Sequence, residues 1–243
     1  QWPEELFLSG LKALINIDRG WVPSHAGGSL YIRPFMIATD EYVGIRPSDN
    51  YKFIVIACPV NSYYPKPVNV KIEQNYSRAA EGGVGDAKAA GNYAASLHSV
   101  TKARADYGAD QVLFCPGGQV QETGAANFMI IKGNEIITKK LDGSILPGIT
   151  RDSLLTIAKR LGYDVKELDF TVEELLSWLP DSEALLSGTA AVLSPVGSVV
   201  YQGQTILIGG GEVGEKAMKF KAELTGIQTG QVADPCDWTT VVA

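Results

Sequence analysis

The chain has few of the residues on which metal sites and acid–base enzymes most often depend. Only two of its 243 residues are histidine, His25 and His98. A metal centre built on imidazoles is therefore excluded, as is most Ser–His nucleophilic chemistry, and each histidine reads as a surface or satisfied structural residue. The three cysteines, Cys58, Cys115 and Cys236, lie far apart and form no CxxC. They give no disulfide framework, which fits a reducing compartment. No apolar run approaches the roughly eighteen residues of a membrane span, and no signal peptide is visible. A basic stripe is missing too: the net charge is −6 and the pI about 5.0, which argues against a nucleic-acid partner. What remains is 45% hydrophobic and 20% charged, enough for a sizeable core in one large domain with part of a second. The sequence opens at Gln1 without an initiator methionine and runs almost at once into helix-like residues, so an N-terminal part is expected to be missing.

Periodicity and punctuation divide the chain. Pro3 to Ile15 is expected to be a helix, with Pro3 in the first turn, Glu4 and Glu5 behind it, and Leu8, Leu11, Leu14 and Ile15 as an apolar stripe. Leu30–Ala38, Tyr51–Val60 and Val68–Ile72 read as strands, with a loop from Asn61 to Lys66. Asn92 is expected to cap a helix from Tyr93 to about Tyr107, stopped by Gly108. Val112–Cys115 reads as a short strand, and Asn127–Ile131 with Glu135–Thr138 as a hairpin across Gly133-Asn134. A helix from Arg151 to Leu161 is closed by Gly162, and Thr171 with Glu174 makes a capping box for another. Ala184–Val200 is strand-like but broken at Pro195 and Gly197, and Glu212–Leu224 is the last helix. Strands and helices mix without strict βαβ alternation, which favours an α+β fold with a mixed sheet.

The most informative segment is Gly82-Gly-Val-Gly-Asp-Ala-Lys88-Ala-Ala-Gly-Asn-Tyr93. It lacks the third glycine of a dinucleotide fingerprint, and no Ser or Thr follows Lys88 as a Walker A loop requires. Small neighbours let a bulky group approach a lysine and thin its hydration, which favours the nucleophilic amine. Such a lysine can form a Schiff base with an aldehyde cofactor; the plain alternative is a flexible glycine loop that happens to carry a lysine.

If the cofactor is pyridoxal 5′-phosphate, three further groups are required. Its pyridine nitrogen needs a carboxylate, its phosphate needs backbone donors, hydroxyls and a cation, and its ring hydroxyl needs a hydrogen-bonding partner. Glu122 in Gln121-Glu-Thr-Gly-Ala-Ala-Asn127-Phe has no basic neighbour and precedes an apolar strand, although an exposed turn glutamate would look the same. Leu146-Pro-Gly148-Ile149-Thr150 ends at a helix start, where free N–H groups favour a phosphate; it also reads as an ordinary proline–glycine turn with a threonine cap. Ser187-Gly188-Thr189-Ala190 sets two hydroxyls in an apolar stretch, and buried hydroxyls need partners, of which a phosphate is one. Tyr93 could meet the ring hydroxyl.

Together and in this order, with Asp18-Arg-Gly-Trp-Val-Pro and Ser29-Leu-Tyr31-Ile-Arg33-Pro34 ahead of them, these pieces resemble the branched-chain amino-acid aminotransferases, pyridoxal-phosphate enzymes of fold type IV. The resemblance implies that Lys88 is the Schiff-base lysine and moves the proton between substrate and cofactor. It implies that Glu122 partners the pyridine nitrogen, Tyr93 touches the ring hydroxyl, and Arg78 stands beside the phosphate. Leu146, Gly148, Ile149 and Thr150 match the helix-start phosphate site, with Gly188 and Thr189 as the second phosphate ligand. Ala190 would help hold the substrate α-carboxylate through its amide. Tyr31 and Arg33 match the Tyr-x-Arg-Pro strand whose arginine answers the glutamate side chain, though an alternating strand with one wet face looks alike. Tyr63 matches a pocket aromatic on a loop that reaches a partner subunit. No metal is expected.

The implied activity is transamination of L-leucine, L-isoleucine and L-valine with 2-oxoglutarate, in branched-chain amino-acid biosynthesis, by a homodimer acting on small molecules, with no nucleic acid and no membrane as partner. The implied layout is the end of a small N-terminal domain with the interdomain loop over residues 1–64, and a large cofactor-binding domain over 65–243. The alternatives are a fold-type-IV relative, D-amino-acid transaminase or aminodeoxychorismate lyase, and a non-catalytic truncated cofactor-binding protein. The expected compartment is the cytoplasm for a bacterial source, with mitochondrion or plastid as the other option. Thr189-Ala-Ala-Val-Leu-Ser occupies the place of the mammalian members' redox CxxC, so no thiol switch of that kind is expected.

Overall fold

The computed structural model describes residues 3–25, 27–61 and 66–242. The chain forms two compact units, Gln1–Tyr63 with Thr239–Ala243, and Tyr64–Trp238.

In the first unit, helix α1 (Glu4–Ile17) leads through a 3-10 turn into an antiparallel hairpin of β1 (Ser29–Ala38) and β2 (Tyr51–Val60). Phe7 of α1 meets Phe53 of β2 at 5.7 Å between ring centroids. The loop joining the strands is tied by Asp40, which accepts from the backbone N–H groups of Asp49 and Asn50 and pairs with Arg46 at 2.9 Å. Most of the loop predicted over 61–66, including Tyr63, lies outside the described residues.

The second unit is a mixed sheet flanked by helices. Its strands are β3 (Val68–Glu73), β4 (Gln111–Phe114), β5 (Asn127–Lys132), β6 (Glu135–Lys139), β7 (Asp164–Leu168), β8 (Ser182–Gly188), β9 (Val192–Tyr201) and β10 (Gln204–Leu207). They run in the order β4-β3-β9-β8-β5-β6-β7, with β10 along β9. The β3–β4, β3–β9 and β6–β7 pairs are parallel. The other pairs are antiparallel. The α+β, mixed-sheet expectation is met.

Apolar runs in the middle strands are buried on both faces, the pattern of a covered sheet. Phe128, Ile130 and Leu186 join Leu113, Phe170 and Leu175 in one core. Met129, Ile131 and Leu185 join Leu154, Ile157, Phe220 and Leu224 of helices α3 (Ile149–Arg160) and α5 (Glu215–Gln228) in the other. Helix α2 (Ala90–Tyr107) covers β4 through Ala103, Val112 and Phe114.

Residues 119–123 join the two ends of the sheet. Thr123 bridges to Leu113 of β4 and Gln119 to Thr171 just past β7, while Val120 N–H donates to Phe170 O at 3.0 Å. The segment thus satisfies groups that sheet edges would otherwise expose. Glu122 sits on it.

Several sequence expectations need correction. Asn92 is not the cap of α2: the helix begins at Ala90 after Ala89, and the Asn92 side chain donates backwards to Val84 O (2.7 Å) and Ala87 O (3.2 Å). Helix α3 starts at Ile149 with Gly148 as its cap, so Thr150 is inside it. The strand expected over 184–200 is two strands, separated at 189–191 rather than at Pro195 and Gly197. Those two residues bend β9 instead, since the β3 ladder starts only at Val196 and shifts register across Gly197. Strands β7 and β10 had no sequence counterpart: β7 is Asp-Val-Lys-Glu-Leu, half charged, and β10 has four residues. The Thr171–Glu174 capping box precedes helix α4 (Val172–Trp178) as expected.

Candidate active site

The centre of the site is a buried carboxylate. Glu122 is 3% exposed and Arg78 2% exposed. Arg78 Nε lies 2.6 Å from Glu122 Oε1, but its N–H does not meet that oxygen in hydrogen-bond geometry. The contact is therefore one of charge. Directed hydrogen bonds reach Glu122 from elsewhere: the Leu146 N–H donates to Oε1 at 2.9 Å and Asn127 Nδ2 to Oε2 at 2.6 Å.

Arg78 also fixes the lysine loop. Its Nη2 donates to Gly85 O and to Ser144 O at 3.3 Å. The loop comes so close that a Cβ on Gly85 would lie 2.4 Å from Gly143 O and 2.8 Å from Ser144 O. Asn92 holds the same loop from the helix side. The facing segment is braced in turn by Asp142, which accepts from Ser144 N–H and Oγ and pairs with Lys139. Burial alone would raise its pKa, but Lys139 and Ser144 draw it down to about 2.

Lys88 follows this anchored loop. It is exposed, so its small neighbours do not thin its hydration as the sequence suggested; they leave it open to approach. Its Nζ stands 5.7 Å from the centroid of the Tyr93 ring, in the first turn of α2. Its charge reaches Glu122 and favours the carboxylate there.

The entry to α3 adjoins the carboxylate through Leu146 and Asn127. Asn127 Nδ2 also donates to Leu146 O at 2.8 Å. A Cβ on Gly148 would lie 2.2 Å from Asn127 Oδ1, so only glycine fits between that amide and the helix start. No side chain caps α3 at Gly148, so its first N–H groups, from Ile149 onward, remain available to an anion. Across the β5–β8 pair, Asn127 faces Ser187, whose buried Oγ lacks a hydrogen-bond partner. Gly188 ends β8, and Thr189 and Ala190 are exposed in the turn that follows. That turn closes at Val192, whose φ of 57° is uncommon for a β-branched residue.

Arg78, Lys88, Tyr93, Glu122, Leu146, Gly148, Ile149, Thr150, Gly188, Thr189 and Ala190 thus all belong to the second unit, and contacts running through Arg78, Glu122 and Asn127 connect the lysine loop with the helix start. Arg78 faces Glu122 through charge and donates hydrogen bonds to two carbonyls. Tyr31 and Arg33 lie two apart on β1 of the first unit, with Arg33 Nη2 donating to Tyr31 OH at 3.1 Å. Two buried polar side chains near the site have no role assigned from the sequence. Asn127 reads from the sequence as the first residue of a strand, with no partner assigned to its amide. Arg151 is buried and bonds to Lys139 O and Glu167. A polar residue followed by four apolar ones, five places after the key glutamate, was the available signal for Asn127.

The second unit thus holds a buried carboxylate, an accessible lysine whose charge reaches it, and an open helix start. A model of the class IV aminotransferases matches residues 2–199, and the chain belongs to that family. It is 44% identical to branched-chain-amino-acid aminotransferase 2 of Bacillus subtilis (strain 168), over all of this chain and 69% of that protein. It is also 44% identical to a probable branched-chain-amino-acid aminotransferase of Streptomyces coelicolor, over 99% of this chain and 69% of that protein. Among solved structures, the branched-chain aminotransferase of Escherichia coli superposes with a TM-score of 0.76 at 29% identity, over 96% of this chain and 74% of that one. The T.th. branched-chain amino acid aminotransferase, solved with pyridoxamine 5′-phosphate, gives 0.83 at 26%, over all of this chain and 77% of that one. These relatives agree with the resemblance drawn from the order of the motifs, and the chain is an aminotransferase of this kind.

Two predictions arise from the geometry. Gly85→Ala forces a methyl into backbone atoms that cannot rotate away, so it should destabilise the protein by about 1–3 kcal/mol, read from urea unfolding. An unchanged midpoint would mean the lysine loop is not packed on 143–144. The second concerns pH. Burial pushes the Glu122 carboxyl up from 4.5 to about 7, against the opposing pull of Arg78, the Leu146 N–H, Arg151 and Lys88. With its pKa raised on folding, its contribution to stability is fully present below pH 4.5 and is lost as the pH rises through 7. In the ligand-free protein, the stability of wild type relative to Glu122→Gln should therefore fall across this window. A difference that is flat with pH would place the titration elsewhere.

Proposed function

We propose that the protein transfers the amino group of L-leucine, L-isoleucine or L-valine to 2-oxoglutarate, using pyridoxal 5′-phosphate and acting as a homodimer. The observation that carries this reading is the buried Glu122 carboxylate, held by directed donors on both oxygens and within electrostatic reach of an accessible lysine.

The residues present fit the cofactor. Glu122 is a buried acceptor whose burial is incompletely offset by its donors, and a protonated ring nitrogen would complete it. The uncapped start of α3, with Ile149 and Thr150, and the unpartnered Ser187 Oγ beside Gly188 and Thr189 offer donors to a phosphate. Lys88 Nζ would hold the aldehyde carbon, and Tyr93 would meet the ring hydroxyl. When bound, the group supplies a carbonyl that takes up the amino group and a ring that draws electrons from the substrate Cα.

The chain's own residues would do the rest. Lys88 Nζ would take and give back the proton at substrate Cα. Glu122 keeps the ring nitrogen protonated by remaining a carboxylate against it. The Ala190 amide meets the α-carboxylate. On β1, Arg33 answers the distal carboxylate of glutamate, and Tyr31, which accepts from it, offers an aromatic wall to apolar side chains. Tyr63 is assigned to the pocket of the other subunit by resemblance alone.

Pyridoxal 5′-phosphate added to the protein should give a visible band near ~410 nm, the mark of this cofactor class joined to a lysine, and L-leucine should discharge it. Lys88→Ala should abolish both. A band lost with a D-amino acid and untouched by L-leucine would move the assignment to a D-amino-acid transaminase. For the second substrate, Arg33→Met should raise KM for 2-oxoglutarate roughly tenfold while changing KM for leucine much less. Equal changes for both substrates would remove Arg33 from dicarboxylate recognition.

A further inference from the structure

We propose that Asn127 is a positioning residue for transamination: its side-chain amide fixes the plane of the Glu122 carboxylate and ties it to the start of α3. This rests on the reading of Glu122 as the partner of the cofactor's ring nitrogen.

A glutamate carboxylate turns freely about its last torsion unless both oxygens are held. Arg78 contributes charge at Oε1 without a directed hydrogen bond, so it does not set the plane. The two directed donors do. Asn127 Nδ2 reaches Oε2 at 2.6 Å, and the Leu146 N–H reaches Oε1 at 2.9 Å. Asn127 Nδ2 spends its other proton on Leu146 O at 2.8 Å. The three residues thereby close a ring of hydrogen bonds, and a rotation of the carboxylate breaks at least one of them.

The anchor itself is rigid. Asn127 is 4% exposed, begins β5, and is paired in register with Ser187 of β8. Its Oδ1 lies where a Cβ on Gly148 would have to go, so the amide cannot turn without disturbing the residue that caps α3. One side chain thus sets the carboxylate at the ring end of the site against the helix start at its phosphate end. The purely structural alternative, that Asn127 only satisfies buried acceptors, predicts a loss of stability unrelated to Glu122.

The test is a double-mutant cycle on the pyridoxal 5′-phosphate-loaded enzyme with L-leucine and 2-oxoglutarate, using Asn127→Ala, Glu122→Gln and the double variant. It is accompanied by an infrared titration of the Glu122 carboxyl in the cofactor-free protein, with Glu122→Gln as the blank. Expected are a loss in kcat of roughly tenfold or more for Asn127→Ala with little change in KM, no further loss when it is added to Glu122→Gln, and a rise in the Glu122 titration midpoint because its charged form has lost a donor. Asn127→Leu keeps a similar side-chain size without a donor or a new titrating group and carries the same readouts if Asn127→Ala does not fold. The same fractional loss in both backgrounds, or an unmoved midpoint, overturns the proposal. A crippled Glu122→Gln beside a fully active Asn127→Ala overturns the role of Asn127 alone. A fully active Glu122→Gln overturns that role together with the reading of Glu122 on which it rests.

Discussion

The rest of the second unit is arranged around a carboxylate that water cannot reach. Taking Glu122 out of solvent costs several kcal/mol unless it is repaid by charge and by hydrogen bonds. The repayment comes from separate stretches of chain: Arg78 beyond β3, Asn127 at the start of β5, the Leu146 N–H before α3, and the positive charges of Arg151 on α3 and Lys88 before α2. Losing one partner of such a pair typically leaves an uncompensated charge worth about 3–5 kcal/mol, so these stretches are bound to each other through the glutamate as firmly as through the apolar cores. The segment that carries Glu122 also bridges the two ends of the sheet. The electrostatic centre and the closure of the fold are therefore one feature.

This arrangement accounts for the placement of an exposed lysine. Lys88 is not buried, and nothing in its own packing defines its position. The definition comes from the loop before it, which Arg78 holds at Gly85, Asn92 holds at Val84 and Ala87, and the 143–144 backbone confines through the absence of a Cβ on Gly85. A mobile side chain on a fixed stem has its reach set while its last torsions stay free.

Much of this was legible in the sequence because local chemistry and final role coincide. The glycines around Lys88, the Thr171–Glu174 box, the helix start after Leu146-Pro-Gly and the hairpin at Gly133-Asn134 are short-range signals, and the fold uses them at short range. The errors arose where a residue answers a distant partner. Asn92 has the chemistry of a cap, yet its amide reaches back to the lysine loop. Pro195 and Gly197 read as a break because strand pairing at β3, which turns them into a bend, lies about 130 residues upstream. Strand β7 was invisible because its charged side chains find partners such as Glu135 and Arg151 only after folding.

The same logic explains why the decisive amide escaped notice. A lone asparagine opening the strand ahead of Phe-Met-Ile-Ile gives no sign of where its amide goes. Burial gives the amide its meaning: a buried amide needs partners for its donors, and in this fold both fall on Glu122 and Leu146. Because the acceptors are the Glu122 carboxylate and the Leu146 carbonyl ahead of α3, satisfying the amide also ties that carboxylate to the helix start. A change at Asn127 would then reach both ends of the site at once without touching any ligand, and Gly148 inherits its own constraint from the same contact rather than from backbone strain, since its φ of −65° is open to any residue.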